Sequence, residues 1–242
     1  MKLLFYGGCI NRQQGLAPHL HYHQLLKQQL QQGAGIETEI QLRFYTTYQE
    51  LTQEAVQLPG GFDVLILFLR PYPLLPLTKP LIRYTDKQLQ STLTLHPKFN
   101  STGYWQKAAT ETEVPTTKRR RTTVHRLIKA VNEKAGDLLN LDHWAVKYVL
   151  QLLQHYKNGL PTGTRLLIMG PPAYAANKRL NKICSELAPQ VEQWCRTQDC
   201  SYLPMQVLPD GSGKGYFAED GIHISAEGHQ QLAQELFKLL QP

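Results

Sequence analysis

The sequence predicts an α/β protein, a three-layer α/β/α sandwich with about five parallel strands. Three observations predict it. Two unbroken apolar runs, Asp63-Val64-Leu65-Ile66-Leu67-Phe68-Leu69 and Leu166-Leu167-Ile168-Met169, read as strands covered on both faces. Both stop at turn-forming residues, Arg70-Pro71 and Gly170-Pro171-Pro172. Stretches at 138–156 and 178–198 are long enough to be crossover helices, and strands alternating with helices imply a parallel sheet.

The remaining elements follow in order. Residues 2–6 form a short apolar run that ends at Gly7-Gly8, as a buried first strand does at a tight turn. Leu25, Leu26 and Leu30 give residues 20–32 an apolar helical face, ended by Gly33 and Gly35. Residues 37–45 alternate, with Ile40, Leu42 and Phe44 on one side, as a half-exposed strand does. A short helix is predicted over 48–57 and a last strand over 201–205. In the C-terminal helix, 225–240, Ser225 is the N-cap and Leu232, Leu236, Leu239 and Leu240 share a face. Residues 79–124 break the rhythm. They are rich in Pro, Thr and basic residues and read as a basic insertion into a single domain spanning 1–242. Right-handed crossovers gather the loops after the strands along one edge, where open sheets bind ligands. Those loops begin at Gly7, Arg70, Gly170 and Pro204.

Composition narrows the function. The chain has 242 residues, 42% hydrophobic and 19% charged, enough for one sizeable core. No stretch approaches the roughly 18 apolar residues of a membrane helix, and the N-terminus lacks a secretory apolar region, so a cytoplasmic location is expected. The net charge of +7 permits an anionic partner but does not require one, because part of the excess sits in Lys118-Arg119-Arg120-Arg121. That run reads as a solvated loop rather than a nucleic-acid site. The cysteines, Cys9, Cys184, Cys195 and Cys200, show no zinc spacing. The last three lie close enough in sequence for one disulfide under oxidising conditions, with reduced thiols the cytoplasmic default. His19, His21 and His23 have no acidic partner at metal-binding spacing and read as surface residues. Gly211-Ser212-Gly213-Lys214-Gly215 does not match a phosphate-binding loop. No metal or cofactor is expected.

The segment that carries chemistry is Asp220-Gly221-Ile222-His223, just before the C-terminal helix. A carboxylate three residues before a histidine can reach the far nitrogen of its imidazole, fix the tautomer and stabilise the imidazolium. A surface loop with a local Asp–His hydrogen bond has the same spacing. This block, continued by Gly228-His229 and the helix, resembles the closing block of the SGNH (GDSL-type) hydrolase superfamily. The resemblance extends along nearly the whole chain in strand order. Gly7-Gly8-Cys9 stands where that family has Gly-Asp-Ser, and residues 63–69 and 166–172 look like its later strands and turn. It implies a flavodoxin-like SGNH-hydrolase fold, an esterase (acyl hydrolase) or acyltransferase with an ester or thioester substrate of small-molecule, glycan or lipid type, and a Cys9-His223-Asp220 triad.

The sequence departs from the family pattern at three places. Cys9 replaces the nucleophilic Ser and Gly8 the acid before it. The family's second-block glycine has no clear counterpart, and Arg70-Pro71-Tyr72-Pro73 stands where the family has Gly-x-Asn-Asp. A thiolate is a stronger nucleophile than a hydroxyl at neutral pH, and a helix start near His223 would lower its pKa. The alternative is that Cys9 is a small buried hydrophobe at a strand end. The backbone amides of Cys9 and Ile10, beside Gly8, are available as oxyanion donors, and Asn11 is a further candidate. Arg70 could replace the missing donor, hold a substrate carboxylate or phosphate, or pair with a local acid for structural reasons. Pro71 and Pro73 stiffen the loop around Arg70 and Tyr72. A second function class therefore stays open: a catalytically degenerate protein of this fold that binds an anionic ligand (a sugar acid, phosphate or lipid head group) through Arg70, Tyr72 and the basic insertion. The oligomeric state is not legible.

Overall fold

A computed structural model describes residues 1–7, 16–45, 48, 50–51, 58, 60–70, 141–172, 178–205 and 224–241, with 141 and 178–180 described by backbone alone. Strands β1 (Lys2–Gly7), β2 (Glu39–Phe44), β3 (Val64–Phe68), β4 (Arg165–Met169) and β5 (Ser201–Leu203) pair in parallel in the order β2-β1-β3-β4-β5. Helices α1 (Tyr22–Ala34), α2 (Leu141–Gly159), α3 (Lys178–Thr197) and α4 (Ala226–Leu240) fill the intervals, and a single 3-10 turn, Pro18–Leu20, precedes α1. The predicted α/β class and parallel sheet are those observed.

Strand alternation sorts the apolar residues between two faces. Leu3, Phe5, Ile66, Phe68, Leu167 and Met169 turn to one face, where they pack with Tyr22, Leu26 and Leu30 of α1 and Leu232, Leu236 and Leu240 of α4. Leu4, Tyr6, Leu65, Leu67, Leu166 and Ile168 turn to the other and are equally buried. There the Tyr6 ring meets Tyr156 of α2 edge-on, with centroids 6.2 Å apart. The central strands must be apolar throughout because both their faces are covered. The edge strand β2 alternates instead, and its Ile40 and Leu42 pack against the α1–α4 face.

Local chemistry sets the helix ends. The Ser225 hydroxyl caps α4 by accepting the Gly228 N–H at 2.9 Å. Helix α1 continues past Gly33, which the sequence reading had placed at its end. A Cβ there would lie 3.1 Å from the Phe237 ring, so glycine lets α4 approach closely. The stop comes at Gly35, in the left-handed conformation at φ 65°. Strand β5 is shorter than its predicted span, yet Met205 beyond it is still buried in the core. Of the helix predicted over 48–57, only Tyr48, Glu50 and Leu51 fall among the described residues, and they are helical.

The chain divides into one compact unit of Met1–Leu75 with His143–Pro242 and another of Pro76–Asp142. The second unit, with the predicted insertion 79–124, lies almost wholly outside the described residues. Among the described residues no helix is long and apolar enough to cross a membrane.

Ile66 is fully buried in the central strand. Ile66→Ala is expected to lower unfolding free energy by about 2–5 kcal/mol, measured by urea denaturation.

Candidate functional site

Parallel pairing brings the carboxyl ends of all strands to one edge. Hydrogen bonds carry the ladder one step past the strands: the Tyr45 N–H donates to the Gly7 carbonyl (3.1 Å), Leu69 N–H to Met169 (2.8 Å) and Gly170 N–H to Leu203 (3.0 Å). Gly7, Arg70, Gly170 and Pro204 thus leave the sheet side by side, as the sequence reading placed them. The Gly170–Pro171 bond is cis.

Of the predicted site residues, only Arg70 falls among the described residues. Gly8, Cys9, Ile10, Asn11, Tyr72, Asp220 and His223 lie outside them. Their described neighbours flank two of these segments: Gly7 ends β1 two positions before Cys9, and Ile224, directly after His223, is buried in the α1–α4 core cluster.

Arg70 is half-buried and held on three sides by two tyrosines. Its backbone N–H donates to the Tyr45 hydroxyl (3.0 Å), and its carbonyl accepts from the Tyr48 hydroxyl (2.7 Å). Its guanidinium donates to the Tyr45 carbonyl and lies 5.5 Å from the centre of the Tyr45 ring. The Tyr45 hydroxyl in turn donates to the Phe68 carbonyl at 2.6 Å. Because β1 lies between β2 and β3, the Tyr45 side chain crosses the end of β1 to reach β3. Burial pushes both hydroxyls above the ordinary tyrosine range, Tyr45 against the opposing pull of Arg70, so each stays a neutral O–H. Sequence reading missed these anchors. A Tyr next to a strand end is an ordinary core residue until the strand order is known.

The second feature at this edge is the meeting of two helix starts. His229, in the first turn of α4, is fully buried, and its Nδ1 accepts the backbone N–H of Tyr22, the first residue of α1, at 3.1 Å. Its ring is stacked against His21 (centroids 5.7 Å, 18°) and Tyr22 (5.8 Å, 16°). His23 meets His21 edge-on at 5.5 Å. This corrects the surface assignment: His21 and His23 are buried and only His19 is exposed. The reason is that the chain turns into α1 at His21 and drives the following residues under α4. Burial first, then the neighbouring His21 and His23, push the His229 pKa down from 6.5 to about 3. A neutral ring that accepts at Nδ1 carries its proton on Nε2.

Cys184, Cys195 and Cys200 are free thiols, not a disulfide pair. Burial pushes Cys184 and Cys195 up to about 12, so neither offers a thiolate at neutral pH. Among the described residues no group of His, Cys, Asp and Glu is placed to hold a metal ion.

No protein-family model matches the sequence, and no curated protein matches it. Solved structures do share its fold. TesA matches at 12% identity and a TM-score of 0.58, covering 100% of this chain and 99% of that one. A member of the lipolytic protein G-D-S-L family from Veillonella parvula matches at 11% and 0.57, over 99% and 98%. The acetyl xylan esterase AlAXEase matches at 13% and 0.55, over 100% of both chains. The five-stranded parallel sheet with its helices is the α/β fold of the SGNH hydrolases. At these identities the likeness is one of fold.

Tyr45→Phe deprives the Phe68 carbonyl and the Arg70 N–H of their shared partner. It is expected to cost about 1–3 kcal/mol of stability in denaturant titration. His229 binds a proton in the unfolded chain near pH 6.5 but in the folded chain only near pH 3. Stability is therefore intact above pH 6.5 and falls as pH drops toward 3, by about 1.4 kcal/mol per pH unit. Melting curves across this range should show a shallower fall in His229→Asn.

Proposed function

We propose that this protein is an SGNH-type acyl hydrolase that cleaves ester or thioester bonds of small acyl groups with a thiol nucleophile. In this reading the Cys9 thiolate attacks the substrate carbonyl carbon. The oxyanion is held by the backbone N–H groups of Cys9 and Ile10, beside Gly8, with Asn11, Arg70 and Tyr72 as further contacts to it or to the substrate. As the tetrahedral adduct collapses, imidazolium His223 gives a proton to the departing alkoxide or thiolate and leaves an acyl-Cys9 thioester. His223 then takes a proton from water, the hydroxide displaces the Cys9 sulfur, and the free acid leaves. Asp220 holds the His223 ring through its other nitrogen.

The observation that carries the reading is the hydrogen bond between the starts of α1 and α4. In the chain Cys9 lies between β1 and α1, and Asp220 and His223 lie between β5 and α4. The two helices that follow these residues meet at their starts, at the edge where sheets of this kind bind ligands, which supports the reading. The full-length likeness of fold to esterases supports it, and the acetyl xylan esterase among them points to acylated small molecules or glycans as substrates.

Hydrolysis of p-nitrophenyl acetate tests this directly. The wild type should turn over, with Cys9→Ala and His223→Ala slower by about 100-fold or more. Equal rates in all three would refute the thiol mechanism.

A further inference from the structure

Helix α1 starts without a cap of its own. The N-cap position is His21, whose side chain makes no bond to the helix. Instead its imidazole is paired with the Leu16 carbonyl at 3.3 Å. The Tyr22 N–H is one of the four donors that every helix start leaves over. Here a residue 207 positions away accepts it, His229 Nδ1. We propose that His229 is a positioning residue, a cap given to α1 by α4. It ties the start of α4, which follows His223 in the chain, to the start of α1, which follows Cys9.

The inference rests on the thiol-hydrolase reading and adds a residue to it. Three features fit His229 for the task. Its ring cannot swing, because it is fully buried and stacked on both His21 and Tyr22. Its own helix is separately capped by Ser225, so the α4 start is rigid from within. Three groups that face it, His21, Tyr22 and His23, come from α1 or the residue before it, so the contact joins these two elements directly. A reaction between groups on two different loops depends on their separation, and a misplacement of about 1 Å can cost about 100-fold in rate.

The test compares variants at position 229 for kcat and KM on p-nitrophenyl acetate and for the pH profile of Cys9 alkylation by iodoacetamide. His229→Phe keeps a ring of similar size and removes the acceptor; His229→Asn keeps an acceptor close to the place of Nδ1. With folding checked by circular dichroism, His229→Phe should lose kcat by about 10- to 100-fold with KM unchanged. Its Cys9 profile should move toward the free-thiol value of about 8.5. His229→Asn should restore both. A folded His229→Phe with wild-type kcat and alkylation profile would overturn the proposal. If His229→Phe does not fold, the pair His229→Asn and His229→Gln decides, since Gln sets its acceptor one methylene farther out. Asn near wild type with Gln at least tenfold slower upholds the role, and equal rates overturn it. Failure of the underlying reading looks different: the wild type itself would then show no Cys9-dependent hydrolysis.

Discussion

The parallel pairing of β1 with both β2 and β3 is the constraint from which the rest of the molecule follows. A parallel strand cannot be reached by a tight turn; the chain must cross a face of the sheet and come back in the same direction. Every strand therefore exits at one edge. Covering both faces is what demands unbroken apolar runs in β3 and β4. The same rule sends α1 and α4 along one face, side by side, with their N-terminal ends at the edge where the loops emerge.

Two small polar systems then stiffen that edge. In one, the hydroxyls of Tyr45 and Tyr48 take up the backbone groups of Phe68 and Arg70, so that the chain is held as it leaves β3. In the other, His229 satisfies the first donor of α1. Both work with uncharged groups. Buried hydroxyls and a buried neutral imidazole pair with the backbone without the desolvation cost that an ion would bring. Neither is part of the proposed chemistry. Each fixes the end of a strand or the start of a helix at the edge where open sheets bind ligands.

The proposed thiol nucleophile would suit such a scaffold. A thiolate forms near neutral pH with modest help from a nearby cation or helix start, and it attacks without full proton transfer in the same step. Two other thiols, Cys184 on α3 and Cys195 near its end, have been taken out of play by burial. The guanidinium of Arg70 donates through one nitrogen to the Tyr45 carbonyl and lies against the Tyr45 ring, which fixes where its side chain leaves β3.

The sequence by itself determined the strands, the helices, the parallel sheet and the edge at which the loops gather. Those features are written in local period and composition: both-face burial in residues 64–68 and 166–169, alternation in β2, and Ser225 ahead of α4. It also pointed to Cys9, Asp220 and His223 by residue type, spacing and resemblance. What only the tertiary structure decided are the contacts between residues far apart in the chain. Tyr45 was one more apolar strand-end residue until the order β2-β1-β3 sent its hydroxyl across to Phe68 and Arg70. His21 and His23 looked like surface polar residues until α4 was laid over them. His229 could not be matched to the Tyr22 amide by any local rule. A hydrogen bond depends on position in space, and neither residue's neighbours in sequence carry information about a partner that folding alone brings near.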